Sequence, residues 1–278
     1  MTRLCLRVVP VALLLAACAT DRRPADRAEL KPRFDIHQVV SPELLRQANH
    51  GRNVVGTDGR FVMPQGVRRA WIDVGAHLME WTRAELERSD DIALVAIEPL
   101  AECWKVWPDN TRLIALPVAI ATERGSLDFN VNAENATSSL LKSAAGTFVS
   151  EQTRTVEVRK VPVLRLEDVL ERIPPEIDVE YLKSDVQGLD LQVLKSGGEQ
   201  LRRVARVKAE VIVERLYEGS GEFRQGTAAE FVSYMQSQGF EFERDSGDYG
   251  AWLDKAFVNP QRLGWLARAR RYLRSRGR

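Results

Sequence analysis

The stretch from Arg69 to Thr82, RAWIDVGAHLMEWT, constrains this chain more than any other. Ala70 to Val74 is short and apolar, with a Trp and β-branched Ile72 and Val74, and reads as a buried strand. It stops at Asp73-Val74-Gly75-Ala76, and a helix-like run follows from about His77 to Arg88. A strand that ends at a glycine and turns straight into a helix brings backbone N–H groups close to a ligand, because no Cβ blocks the bend. An acidic residue at the end of the next strand, about 20 residues on, is the usual partner of ribose hydroxyls. Here that residue is Glu98, in VAIEPL. Strand, glycine turn and distal carboxylate together point to a nucleotide site.

The 278 residues suffice for one large domain or two small ones. Hydrophobic content of 44% and charged content of 28% are ordinary for a globular protein. A net charge of +1 gives no reason to expect a nucleic-acid partner or an acidic substrate. Cys5, Cys18 and Cys103 have no metal-ligand spacing and no disulfide framework, and His37, His50 and His77 are scattered, so no metal is expected.

Residues 1–20 read as an export signal: Arg3 and Arg7 form a basic start, Val8 to Ala17 is apolar, and small residues precede Cys18. Leu15-Ala16-Ala17-Cys18 resembles a bacterial lipoprotein cleavage site, which would make Cys18 the lipidated first residue and attach the protein to a membrane. A mis-assigned start codon or an uncleaved apolar leader is the other reading, and a signal that is not used would leave the protein cytoplasmic. Residues 21–66 are a tether followed by a short helix from Ser41-Pro42-Glu43 to about His50, with Ser41 as N-cap and Pro42 at the first helical position, and then a Gly- and Pro-rich loop. Over residues 67–260 strands and helices alternate, which means a mostly parallel sheet covered on both faces. Strands are expected at Ile92 to Ile97, Thr111 to Ala119, Ser126 to Val131, Val156 to Val163, Val179 to Ser184 and Val204 to Val213. Helices are expected at Ala101 to Trp107, Arg165 to Ile173, Leu189 to Ser196 and Thr227 to Gln238. Phe240 to Arg244 and Trp252 to Val258 close the sheet as an antiparallel edge. Residues 261–278 carry seven Arg among Leu263, Trp265, Leu266, Tyr272 and Leu273, a basic amphipathic helix suited to packing one apolar edge or to meeting anionic lipid.

From about Trp71 to Val258 the chain resembles the FkbM family of S-adenosylmethionine-dependent methyltransferases. Six blocks carry the resemblance in order: WIDVGAHLMEWT, VAIEPL, LPVAIATERGSLDFNVNAENATSSLL, VPVLRLEDVL with DVEYLKSDVQGLDLQVLKSG, VKAEVIVERLYEG and WLDKAFV. The resemblance implies a Rossmann-like class I methyltransferase fold with a mostly parallel seven-stranded sheet. It implies S-adenosyl-L-methionine as cofactor and methyl transfer to a hydroxyl of a sugar or small molecule. By position, Asp73 and Gly75 would line the methionine portion, Glu98 would take the ribose hydroxyls, Val118 and Ala119 would border adenine, and Asp185 would face donor and acceptor. Two departures stand out: Met79 replaces a usual glycine and His77 a usual asparagine. Gln187 stands where glutamate is frequent.

A hydroxyl acceptor must lose its proton, so a carboxylate or histidine is expected at the transfer point. Asp185 is the first candidate catalytic residue, with Glu210 and His77 behind it; a helix-capping Asp185, a salt-bridged Glu210 and a turn-satisfied His77 are the structural alternatives. Lys183 could simply pair with Asp185, and Cys103 reads as a packed small side chain. The competing functional reading is a catalytically inactive binding protein of the same fold at a membrane, motivated by Met79 and by an export signal that would remove the protein from its cytosolic methyl donor. A nicotinamide oxidoreductase is disfavoured because the turn lacks the three-glycine fingerprint.

Overall fold

The structure is a computed structural model that describes residues 31–248 and 252–263. Its centre is a seven-stranded sheet in the order β11-β12-β9-β8-β1-β2-β3, with β1 Arg69–Val74, β2 Ile92–Ile97, β3 Leu113–Leu116, β8 Asp178–Ser184, β9 Arg206–Ile212, β11 Glu241–Asp248 and β12 Trp252–Val258. Neighbours from β3 to β9 run parallel, and β12 runs antiparallel to both β9 and β11. The expected mostly parallel sheet with an antiparallel edge is therefore present.

Strand alternation builds two cores. Ile72 and Val74 of β1 and Val95 and Ile97 of β2 pack on one face, with Val169, Leu191 and Phe231 from the helices α4 Leu166–Arg172, α5 Asp190–Ser196 and α6 Ala228–Ser237. Leu94 and Ala96 of β2 and Leu113 and Ala115 of β3 face the other way, against Met79, Leu86, Trp104 and Trp107. Burying both faces is why these strands read as continuous apolar runs. The remaining helices are short: α1 Pro42–Ala48, α2 Arg83–Arg88 and α3 Ala101–Trp104.

The edge of β3 is closed by one side chain. Asn49 donates from Nδ2 to the Ala115 carbonyl and accepts the Ala115 N–H at Oδ1, each at 2.8 Å, as a further strand would. Ser41 caps α1 through the Leu44 N–H, with Pro42 at the first position, as the sequence predicts.

Two expected elements change. The segment expected as one strand from Thr111 to Ala119 divides at Pro117, which has no N–H for a ladder; Val118 N–H turns back to the Leu116 carbonyl, and β4 Ala119–Ile120 joins a second sheet. That sheet, β4-β7-β5, includes β5 Gly125–Asn132 and β7 Thr155–Leu164, and buries Phe129, Leu140, Val161 and Val163 beside the carboxyl ends of the main strands. A third, two-stranded piece pairs β6 Lys142–Ser143 with β10 Tyr217–Glu218. The helix expected from His77 begins only at Arg83, because His77 and Met79 hold φ of +44° and +62°, which no right-handed helix accepts. The lipoprotein-like signal and nearly all of the basic C-terminal segment lie outside the described residues.

Candidate active site

The strand order reverses around β1, whose neighbours are β2 on one side and β8 on the other. Ligands of open α/β sheets bind in the crevice outside the carboxyl ends at such a switch. Register brings the ends level: Val74 lies opposite Ile97 and Ser184, and Ile97 opposite Leu116. Gly75, Glu98, Val118 and Asp185, at or close beyond those ends, line one cavity.

Gly75 makes the bend. Its N–H and that of Ala76 both reach the Ile97 carbonyl at 3.0 Å, and its φ is +73°. A Cβ here would stand 1.9 Å from the Asp185 carbonyl oxygen, so strand β1 and the Asp185 loop approach as closely as backbones can.

Glu98 is 6% exposed and lines the cavity. Its two oxygens accept the His77 N–H at 3.1 Å and the Leu100 N–H at 2.9 Å. Each oxygen keeps a lone pair for a further donor. Burial pushes its carboxyl up to about 7 against those two amides.

Asp73 sits behind the cavity instead of lining it. Thr82 Oγ1 donates to it at 2.6 Å and Lys183 Nζ at 3.2 Å, and Lys183 also bonds the Gly75 carbonyl at 3.2 Å. Burial pushes the Asp73 carboxyl up, and Lys183 and Thr82 pull against it. Desolvation opposes the Lys183 charge, but Asp73 and Asp185 outweigh it and hold the ammonium above its ordinary value. Asp73 thus holds the turn, and Lys183 ties the ends of β1 and β8 together.

Met79 is fully buried, packs with the Leu86, Trp104 and Trp107 core, and is not among the cavity-lining residues. The left-handed backbone at 77 and 79 accounts for the asparagine and glycine usual there, since both residues adopt positive φ readily.

His77 lines the cavity, with Nδ1 2.8 Å from Glu80 Oε1 and Nε2 2.9 Å from Asn135 Oδ1. Desolvation lowers its pKa, but Asn135 and Glu80 together outweigh it and raise the net value. Both ring nitrogens face acceptors, so the imidazolium is favoured and neither nitrogen is free to take a proton.

Three comparisons bear on these observations. The family model described as the methyltransferase FkbM domain matches residues 73–242, more than half of the chain. The chain belongs to this family. No curated protein matches significantly. Solved structures with similar folds include magnesium protoporphyrin IX methyltransferase from Synechocystis with bound SAH, at 8% identity, covering 70% of this chain and 75% of that one with a TM-score of 0.36. Another is a 16S rRNA (adenine(1408)-N(1))-methyltransferase from Catenulisporales acidiphilia, at 12% identity, covering 79% and 91% with a TM-score of 0.36. The chain also covers 65% of Streptococcus pneumoniae Sp1610, less than two thirds of its length, with 70% of its own, at 10% identity and a TM-score of 0.35. Likeness at that level says nothing of chemistry. The sheet order and switch-point cavity are those of the Rossmann-like methyltransferase fold expected for an FkbM domain.

On the FkbM cavity's other wall, Asp185 is the first residue past β8, its side chain 30% exposed. Its Oδ1 accepts Gln187 Nε2 at 2.9 Å and its Oδ2 lies 3.6 Å from Lys183 Nζ. Glu210, near the end of β9, lies behind Gln187, whose Nε2 reaches Glu210 Oε2 at 3.1 Å. Burial, then the charges of Asp185 and Asp190, push the Glu210 carboxyl well above its ordinary range.

Val118 and Ala119 line the apolar part with Ile120, Phe129 and Leu140. No side chain caps α5; Asp190, at its first position and not singled out from the sequence, turns back to the preceding loop. It accepts Ser184 Oγ at 2.6 Å and the N–H groups of Val186 and Gly188 at 3.1 and 3.3 Å, which closes the Asp185 loop. Burial and Asp185 push it up to about 7. Its signal in sequence is an acid at the first turn of a predicted helix. Asn135 and Tyr217 carry no local signal, because they reach the site from separate segments. Cys103 is buried, and desolvation raises its thiol to about 12, as befits an inert packed side chain. Among the described residues no group of His, Cys, Asp and Glu is arranged to hold a metal, and no helix is long and apolar enough to cross a membrane.

Proposed function

We propose that this FkbM domain is an S-adenosyl-L-methionine-dependent methyltransferase acting on a hydroxyl of a sugar or small-molecule acceptor. The observation that carries the reading is the placement of Glu98 and Asp185 on opposite walls of one cavity, across the Gly75 bend. Glu98, held by two backbone amides, has the free lone pairs to accept two ribose hydroxyls. Val118, Ala119, Ile120 and Leu140 offer an apolar slot for adenine, and Gly75 leaves room for the methionine portion.

The cofactor, when bound, supplies an activated methyl group on a sulfonium. The chain's share is orientation and proton handling, since transfer needs an acceptor held in line and close. Asp185, partly open to solvent, accepts the proton from the acceptor hydroxyl as its oxygen gains the methyl group. Glu210 lies behind it, its carboxyl pushed up by burial, and His77, engaged on both nitrogens, shapes the wall beside Asn135.

Met79, which motivated the inactive-scaffold alternative, packs away from the cavity and gives that alternative no support. Lipidation at Cys18, and membrane contact through it and the basic C-terminal segment, remain part of the proposal; palmitate labelling of the wild type but not of Cys18→Ser tests them. Calorimetric titration with S-adenosylhomocysteine tests the cofactor: the wild type should bind, and Glu98→Ala should weaken binding by about a hundredfold, the scale of two hydroxyl hydrogen bonds to a charged acceptor. No heat with the wild type would contradict the reading.

A further inference from the structure

We propose that Gln187 is a positioning residue: it clamps the Asp185 carboxylate at the donor end of the cavity and so makes the site prefer a cationic nucleoside to its neutral counterpart. The inference rests on the nucleoside reading of this cavity and goes beyond it to a residue by which this chain departs from its family.

Every hydrogen-bonding group of the Gln187 amide is committed. Nε2 has two hydrogens, directed at Asp185 Oδ1 at 2.9 Å and Glu210 Oε2 at 3.1 Å. Oε1 lies 2.8 Å from the Tyr217 hydroxyl, whose single hydrogen it shares with the Thr137 carbonyl at 3.0 Å. A flipped amide would set Oε1 against the Asp185 carboxyl oxygen at 2.9 Å, which favours the orientation given. The backbone is fixed as well: φ is +59°, and Ser139 Oγ donates to the Gln187 carbonyl at 2.8 Å. Asp190 accepts the N–H groups on either side, from Val186 and Gly188. Few surface side chains are held at so many points, and this one lines the cavity.

The charges around the bridge show what the clamp does. Lys183 of β8 approaches the far oxygen of Asp185 at 3.6 Å, while its stronger partner is Asp73. Asp254 of β12 is paired with Lys208 of β9 at 2.6 Å. Asp190 of α5 is bonded to Ser184. Glu210 is 8% exposed, and burial with its acidic neighbours pushes its carboxyl well above the ordinary range. Of these carboxyls only that of Asp185 lines the cavity, held between an ammonium and an amide. A glutamate at 187 would bring a third carboxyl where the amide now donates and would leave the other two without a bridge. The glutamine holds the Asp185 carboxyl in one place. A sulfonium at that end gains from it; a thioether does not.

The test compares calorimetric affinities for S-adenosylmethionine and S-adenosylhomocysteine in the full chain, Gln187→Leu and Tyr217→Phe. Gln187→Leu should lose about tenfold in affinity for the cation, the scale of one charge-assisted hydrogen bond, and less than about twofold for the neutral ligand. Tyr217→Phe, which frees Oε1 but leaves the amide in place, should shift the ratio the same way by about threefold and serves if the leucine variant does not fold. A purely structural role would lower the melting temperature and weaken both ligands alike. Equal losses, or a ratio unchanged in both variants, would overturn the inference while leaving the cofactor reading intact. Wild-type protein that binds neither ligand would remove both.

Discussion

Glu98 is the residue whose titration reads out the site. Burial raises its carboxyl from 4.5 to about 7, so between those pH values the folded chain keeps a proton that the unfolded chain has released. The stability this proton contributes is complete below the unfolded value and is lost as pH rises through about 7. Glu98→Gln has no such proton. Thermal melts should therefore show the wild type losing, relative to this variant, on the order of 3 kcal/mol between acid and mildly alkaline pH. Nucleoside affinity should run the opposite way, rising through neutrality in the wild type and staying flat in the variant, because only the carboxylate accepts two hydroxyls. Gly75 admits no compromise. Gly75→Ala places a methyl against the Asp185 carbonyl, with a positive φ besides, and should cost more than about 4 kcal/mol, read as loss of soluble folded protein. Met79→Ala should cost about 2–5 kcal/mol by opening a void in the Trp104 and Trp107 core. It should leave S-adenosylhomocysteine affinity within about twofold, a change too small to count as a lost contact.

At the scale of elements, the chain holds its site with short segments tied by single side chains. Asn49 is the clearest case. Asn49→Ala leaves the Ala115 N–H and carbonyl without the partner that closes β3, and should cost about 2–4 kcal/mol in denaturant unfolding, with faster amide exchange confined to β3 and α1. The elements were legible wherever hydrophobic period and punctuation agreed: β1, β2 and β8, and α4 stopped before Pro174. Three features were not. The turn after Gly75 carries helix-forming residues, and only the backbone angles at His77 and Met79 exclude a helix. Pro117 splits an apolar run whose pattern continues through it. The roof formed by β5 and β7 reads as two strands, but nothing local says that they leave the main sheet.

For the whole molecule, the parallel sheet fixes a crevice, and the order of strands decides which residues meet there. Gly75 and Glu98 were legible from their places at strand ends, and the family resemblance pointed to Val118, Ala119 and Asp185; all five line the cavity. Asp73 and Glu210 also stand at strand ends, yet their side chains are spent behind the wall, on Lys183 and on Gln187. Which side of a strand end faces the crevice depends on packing that a sequence does not print. The same holds for Asp190 and Tyr217, whose roles depend on partners brought in by the fold. The account is tested most directly by a crystal structure with S-adenosylhomocysteine bound. It predicts ribose hydroxyls on Glu98, adenine beside Val118 to Ile120, and the sulfur facing Asp185. A ligand lodged elsewhere, or Glu98 turned from the ribose, would contradict it.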